Sequence, residues 1–216
     1  MLAKIKGLMR IRYITSHPAD MTDDLINAHK DNYKLMPYLH LPIQAGSNKI
    51  LKEMNRKYTR EEYITVVDKL RTARPDIALN SDFIVGFPGE KNQDFDETVD
   101  LVKTLRFAGS YSFKYSPRPG TPASLKGKPV DQKIMNRRLS VLQDILKDQQ
   151  KEFNNSFIDK ELPVLIEKTG KKDSQFVGRS EYLQPVHVLS KKNIIGEVIN
   201  VRVNSITSFS LHGKVC

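Results

Sequence analysis

The chain has 216 residues, 39% hydrophobic and 28% charged, with 35 Lys and Arg against 25 Asp and Glu for a formal net charge of +10. That length suits one large domain, or one medium and one small, and no apolar run approaches the roughly 20 residues that span a bilayer. The single cysteine, Cys216, excludes an internal disulfide and any iron–sulfur or metal site built from this chain's cysteines alone.

The first ten residues are basic but lack a signal-peptide apolar core and cleavage site, so the expected location is cytoplasmic. A sequence pI near 9.6 fits a polyanionic partner, nucleic acid first. The basic excess is spread along the chain, with 9 basic and 6 acidic residues in 156–216.

Residues 1–8 read as the tail of a helix. Met9 to Thr15 predicts a strand, through Ile11, Tyr13 and Ile14, broken by Ser16-His17-Pro18. Thr22 is placed to cap a short helix carrying Leu25, Ile26 and Ala28. Tyr38 to Ile43 predicts a second strand, with Pro42 at its exit, and Ser47 caps a helix whose buried stripe is Ile50, Leu51 and Met54. Thr59-Arg60-Glu61-Glu62 is a capping box opening a helix with Ile64, Val67 and Leu70 on one face, stopped by Pro75.

Ile77 to Val85 predicts the third strand. It runs into Gly86-Phe87-Pro88-Gly89-Glu90, then Asn92 as N-cap of a helix over Asp94–Leu105. Strand, glycine turn and helix N-terminus in that order put backbone N–H groups at a strand's C-terminal end, where α/β proteins bind anionic ligands. The plainer reading is that Gly86 and Gly89 only permit a tight turn. Tyr111 to Tyr115 predicts the fourth strand, followed by the proline-rich loop Ser116 to Ala123 with Arg118 in it. Asp131 begins a long helix to about Phe153, with Ile134, Leu139, Leu142, Ile145 and Leu146 as its apolar side.

This β-α alternation implies about four parallel strands with helices outside, a partial (β/α) barrel over residues 1–155. From Glu161 the texture changes to short β-type runs: Leu162–Glu167, Gln175–Arg179, Pro185–Leu189, Glu197–Val203 and Ser208–Val215. Five strands in about 60 residues predict a small all-β barrel over 156–216.

In a barrel-like parallel sheet the strand C-termini share one face. Gln44, Ser47, Ser81, Asp82 and Arg118 then offer amide, hydroxyl, carboxylate and guanidinium groups to one ligand. Each has a plainer role: Ser47 as N-cap only, Asp82 as a hydrogen-bonded strand residue, Arg118 as a surface cation. His17 and His40 lack metal-type spacing to any other ligand, so they are expected to hold no metal. On the β-barrel, Lys171, Lys172, Arg179, Lys191 and Lys192 are candidates for RNA phosphates, with a solvated surface as the plainer account.

Four stretches in order, Arg10–Pro18 (RIRYITSHP), Leu39–Ser47 (LHLPIQAGS), Ser81–Glu90 (SDFIVGFPGE) and Tyr111–Ala123 (YSFKYSPRPGTPA), resemble the radical-SAM methylthiotransferases. The likeness runs from about residue 1 to 215. It implies part of a radical-SAM (β/α) barrel followed by a TRAM domain that grips RNA. It also implies use of S-adenosylmethionine and two [4Fe–4S] clusters. The implied reaction adds a methylthio group to C2 of N6-(dimethylallyl)adenosine next to the anticodon of a tRNA, with hydrogen removed by a 5′-deoxyadenosyl radical. Gln44, Ser47, Ser81, Asp82, Gly86, Gly89 and Arg118 fall in motifs that, by the resemblance, line the S-adenosylmethionine pocket.

The chain departs from the family in lacking both the Cys-x3-Cys-x2-Cys loop and the three cysteines of the N-terminal domain, so it resembles the C-terminal part of such an enzyme. Alone it is expected to be inactive, with tRNA (the anticodon stem-loop) and a separate N-terminal half as partners and no membrane association. The alternatives are an RNA-binding remnant without catalysis and part of a relative acting on another modified adenosine or on a ribosomal protein. The strand at Met9–Thr15 is expected to be an open sheet edge, prone to pairing or aggregation.

Overall fold

The computed structural model describes residues 2–14, 17–125 and 129–216; the expected positions Met1, Thr15 and Ser16 lie outside the described residues. The first half is built on a three-stranded parallel sheet in the order β1-β2-β3, with β1 Tyr38–His40, β2 Ala78–Val85 and β3 Gly109–Lys114. Helix α1 (Asp23–Asp31) precedes the sheet. Helices α2 (Asn48–Glu53) and α3 (Arg60–Ala73) connect β1 to β2, α4 (Asn92–Leu105) connects β2 to β3, and α5 (Gln132–Asn155) follows β3. These are the helical crossovers that parallel pairing requires.

The segment around Ile11 supplies the outermost parallel element, but as a single bridge to Leu35 rather than a strand. Its backbone meets the chain at Lys34 and Met36 (2.7 and 3.0 Å) and then turns to other work. Arg10 donates to the carbonyls of Arg179 and Pro163 (3.0 and 2.8 Å), and Arg12 donates to that of Ser180 (2.7 Å). This strap ties the start of the chain to the β-barrel. The expected N-terminal helix tail is one 3-10 turn, Leu2–Lys4.

Local signals account for the helix starts. At α3, Thr59 Oγ1 accepts from the Glu62 N–H (3.2 Å) and the Glu62 carboxylate accepts from the Thr59 N–H (2.8 Å), a reciprocal box of the kind worth about 1 kcal/mol. Asp131 accepts from Lys133 and Ile134 at the start of α5. Helix α4 begins at Asn92 itself, one position later than an N-cap Lys91, so Asn92 is not the cap; the Asp94 carboxylate accepts from the Lys91 N–H (2.8 Å) instead. On α5 the buried face is Met135, Arg138, Leu142, Leu146 and Gln149, and Ile134 stands exposed. Of the expected apolar side, Leu142 and Leu146 are buried and Leu139 and Ile145 pack against the core, so Ile134 alone departs, its place at the start of the stripe taken by Met135.

β2 carries the core of this half. Its alternating burial puts Ser81, Phe83 and Val85 under the helices, where Phe83 meets Phe107 edge-on at 5.5 Å. Asn80, Asp82 and Ile84 point to the other, half-open face.

The second half is a closed antiparallel barrel in the order β4-β5-β6-β8-β7, with one parallel contact, β6 to β8. The strands are β4 Glu161–Thr169, β5 Gln175–Arg179, β6 Pro185–Leu189, β7 Val198–Ile206 and β8 Leu211–Val215. Inward residues Val164, Ile166, Val186, Val188, Val201, Val203 and Leu211 fill a second hydrophobic cluster, separate from that around β2. Besides the strap, the two halves meet where Tyr182 donates to Asp76 (3.2 Å) and Gln184 to Asn154 (2.7 Å). Among the described residues no helix is long and apolar enough to cross a membrane.

Candidate active-site face and barrel surface

The C-terminal ends of β1, β2 and β3 share one rim, as parallel pairing demands. Beyond β1 the chain stays bonded to β2: the Gln44 N–H donates to the Asp82 carbonyl and Gln44 accepts from the Ile84 N–H, both at 2.9 Å. Gln44 holds a positive φ of 80° there, a conformation a non-glycine residue keeps only when its surroundings enforce it.

Asp82 lies on the half-open face. One carboxylate oxygen, Oδ2, sits 3.3 Å from His40 Nε2, while Oδ1 is buried with no partner among the described residues. Arg118 is exposed on the loop after β3 and lines a cavity of about 530 Å³ with Ile84, Phe87, Phe113, Tyr115 and Thr121. The Tyr115 hydroxyl, in the same cavity, is also buried without a partner among the described residues. Each of these two buried atoms costs about 1–3 kcal/mol while unsatisfied, and the Arg12, His29, Arg56 and His187 side chains carry further such atoms elsewhere in the molecule.

The two serines are placed elsewhere. Ser81 faces the helices, where its Oγ accepts from the Ile43 N–H (3.0 Å). Ser47 makes no side-chain cap to its own helix and donates to Asp94 Oδ1 (2.7 Å), which Lys49 also engages through Oδ2 (2.8 Å). Burial pushes Asp94 upward, but these donors and the Lys91 N–H outweigh it and hold the carboxyl below its ordinary range. Gln44, Asp82 and the Arg118 cavity are thus brought to the open side, and Ser47 and Ser81 brace the loops behind it.

The glycine turn works differently from a free anion cradle. The Gly86 and Phe87 N–H groups both donate to Glu90 Oε2, the latter at 3.1 Å, so this carboxylate already occupies the nest. Burial raises the Glu90 carboxyl; the Arg138 guanidinium, 3.1 Å from Oε1, and the two N–H groups oppose that rise. Arg138 also donates to Asn92 Oδ1 (2.9 Å) and lies over the Phe95 ring. At Gly86 (φ 76°) an added Cβ would fall 2.3 Å from Met135 of α5, so the missing side chain admits α5 rather than a ligand. Gly89 (φ 82°) faces open space, and its carbonyl accepts from Lys49 (2.8 Å). Glu90, Arg138 and Tyr115 were not singled out from the sequence. For Glu90 a signal existed, a glutamate four residues after a strand-terminal glycine; for Arg138, on the far helix, none did.

On the β-barrel, Lys171 and Lys172 sit in the β4–β5 turn and Lys191 and Lys192 in the turn after β6. Pairing of Gln175 with Leu189 brings these two turns to one end. Arg179 pairs with Pro185 at the other end, beside the strap, with its Nε 3.6 Å from Glu167 and its Nη1 donating to the Leu183 carbonyl (3.1 Å). The five candidates are therefore not one patch.

Among the described residues no group of three or more His, Cys, Asp or Glu is arranged to hold a metal ion, and Cys216 is exposed. These residues do not fit an iron–sulfur cluster.

The radical SAM superfamily profile matches residues 1–102 and the TRAM domain profile residues 156–216. The fold has a solved counterpart in coproporphyrinogen III oxidase (HemN) from Escherichia coli, described as a radical SAM enzyme. The TM-score is 0.55 at 13% identity, over 94% of this chain and 50% of that one. The class is thus a radical-SAM α/β sheet joined to a TRAM β-barrel.

Similarity to curated proteins narrows this. The tRNA-2-methylthio-N(6)-dimethylallyladenosine synthase of Maricaulis maris (strain MCS10) is 53% identical over 99% of this chain and 47% of its own length. Those of Orientia tsutsugamushi (strain Boryong) and Agrobacterium fabrum (strain C58 / ATCC 33970) are 50% and 51% identical, over 100% and 99% of this chain and 48% and 47% of their own lengths. The chain belongs to the radical-SAM methylthiotransferase family, whose superfamily uses S-adenosylmethionine and [4Fe–4S] clusters. It spans about half the length of the curated relatives it matches.

Proposed function

We propose that this chain supplies the S-adenosylmethionine-facing wall and the RNA-holding barrel of a tRNA methylthiotransferase. In this reading residues 1–155 form the barrel portion and 156–216 the RNA-binding module of a cytoplasmic enzyme. The reaction adds a methylthio group to C2 of N6-(dimethylallyl)adenosine next to the anticodon. The observation that carries the reading is identity near 50% along essentially the whole chain to synthases named for that product.

Gln44, Asp82 and Arg118 would hold S-adenosylmethionine, with the orphaned Asp82 Oδ1 and Tyr115 hydroxyl as the atoms that gain partners on binding. Ser47, Ser81, Gly86 and Gly89 would shape the pocket from behind. Lys171, Lys172, Lys191 and Lys192 would take phosphates of the anticodon stem-loop, and Arg179 the RNA nearest the seam. The radical chemistry would come from S-adenosylmethionine and a cluster held outside this chain; this chain's residues would bind and orient.

The polypeptide matching the relatives' remaining half would be the catalytic partner. Co-expression of this chain with the N-terminal half of the Maricaulis maris relative, in cells lacking the modification, should restore methylthio-adenosine measured by mass spectrometry of digested tRNA. Expression of the chain alone should not restore it. Tight tRNA binding without restored modification in either arrangement would favour the second reading, an RNA-binding protein without catalysis, to which the single exposed cysteine lends support.

A further inference from the structure

Three cavities adjoin one another along the free edge of β3. The Arg118 cavity shares Phe113 with a second of about 490 Å³, and that one shares Tyr111, Gln150 and Phe209 with a third of about 520 Å³ that reaches Arg179 at the seam. The trough so formed runs between β3, α5 and the turn joining β7 to β8. Three aromatic rings stand along it unusually bare: Tyr111 at 63% exposure, Phe113 at 53% and Phe209 at 66%. None of the three takes part in a ring–ring contact among the described residues.

We infer that this trough is a binding track for unpaired nucleotides of RNA, their bases stacking on Tyr111, Phe113 and Phe209 on the way to the Arg118 cavity. The inference rests on the RNA-binding reading above and names a different surface from the lysine turns. Its chemistry is that of nucleobases rather than of a dry protein interface. The rings share their cavities with two amides, Gln143 and Gln150, which can both give and accept hydrogen bonds at base edges. Exposed aromatics interleaved with amides and a few cations are how single strands are held without a fixed sequence.

The charges along the trough are mixed. Lys114 and Arg118 line its far end, while along the stretch that carries the three rings Lys147 and Arg179 are matched by Asp144 and Glu167, and Glu167 sits 3.6 Å from the Arg179 Nε. Such an edge releases few counterions, in contrast with four lysines in two adjacent turns. The track should therefore contribute affinity with little salt dependence, and the lysine end affinity with a steep one.

The test is fluorescence anisotropy of the full chain with a fluorescein-labelled oligoadenylate of about ten nucleotides, within the site sizes of small barrel folds, across a salt series. Phe209→Ala and Tyr111→Ala should each weaken binding about five- to a hundredfold with an unchanged salt slope, and Phe209→Tyr should restore it. Replacing Lys171, Lys172, Lys191 and Lys192 by Gln should flatten the slope instead. Thermal melts confirm that the variants fold. Binding by the alanine variants equal to that of the native chain overturns the track while leaving the RNA-binding reading intact. Absence of binding by the native chain overturns both. Sedimentation showing a dimer that Phe209→Asp dissociates overturns the track in favour of a second copy of the chain as occupant.

Discussion

Among the described residues, every strand of the β-barrel has two neighbours, whereas in the parallel sheet only β2 does. The barrel encloses a Val-rich core contributed by about sixty consecutive residues, and its edges are closed by β4 pairing with β7 and β6 with β8. The sheet keeps a covered face under its helices and an open one, and on the open side Asp82 Oδ1 is buried without a partner among the described residues. A closed barrel can be stable by itself and offer only its outside. A half-open sheet leaves polar groups that water or a ligand can reach, which is why the proposed pocket is placed there.

If the two regions are this independent, perturbations of one should leave the other's unfolding untouched. The largest effect is expected at the Glu90–Arg138 pair, both side chains almost fully buried. Removing one partner strands a buried charge, so Arg138→Ala should cost about 3–5 kcal/mol. In denaturant titrations followed by residue-resolved hydrogen exchange, the loss should appear in α4, α5 and β2 and not in β4–β8. Equal loss in the barrel would mean the two halves unfold as one.

Acid should act on the sheet half next. Burial, and then the Arg74 charge, lower the His29 pKa from 6.5 to about 4, with Tyr13 Oη 2.7 Å from its Nε2. The unfolded chain therefore takes up this proton before the folded one does. The His29 contribution is complete above pH 6.5 and is lost as pH falls toward 4, by roughly 3 kcal/mol at the lower end. Urea midpoints at pH 7.5 and 4.5 should diverge less in His29→Gln than in the native chain; an unchanged divergence would remove His29 as the cause.

The turn glycines divide the same way on a smaller scale. Gly86→Ala meets both a positive φ and the Met135 side chain, for an expected loss of about 2–3 kcal/mol. Gly89→Ala meets only the backbone penalty, about 1 kcal/mol. Were the two losses equal, the packing of α5 against the turn would not be what demands a glycine at 86.

The barrel was the more legible region because its signals are local. Alternating Val and Ile between Gly, Lys and Asn turns predicted all five strands, two of them to the residue, Gln175–Arg179 and Pro185–Leu189. In the sheet half, β2, the capping box at Thr59 and the long helix from Asp131 were legible on the same grounds. What escaped depends on residues far apart in sequence. Met9–Thr15 has the composition of a strand, yet its arginines are engaged by carbonyls more than 150 residues away. The site splits likewise. Asp82 and Arg118 stood out as polar residues at strand ends, but that Ser81 faces inward follows only from the pleat. That the Glu90 carboxylate in the glycine nest is also paired, through Oε1, depends on an arginine 48 positions on.

The strap has a kinetic consequence. The Arg10 to Arg179 contact joins residues 169 apart, so it closes nearly the whole chain into one loop. Closing so long a loop is entropically slow until both ends are already structured. On a ribosome, Arg10 emerges before β5 and must wait for it before its guanidinium finds those carbonyls. Assembly of the molecule is therefore expected to finish at its seam, with the barrel formed first and then drawn back onto the beginning of the chain.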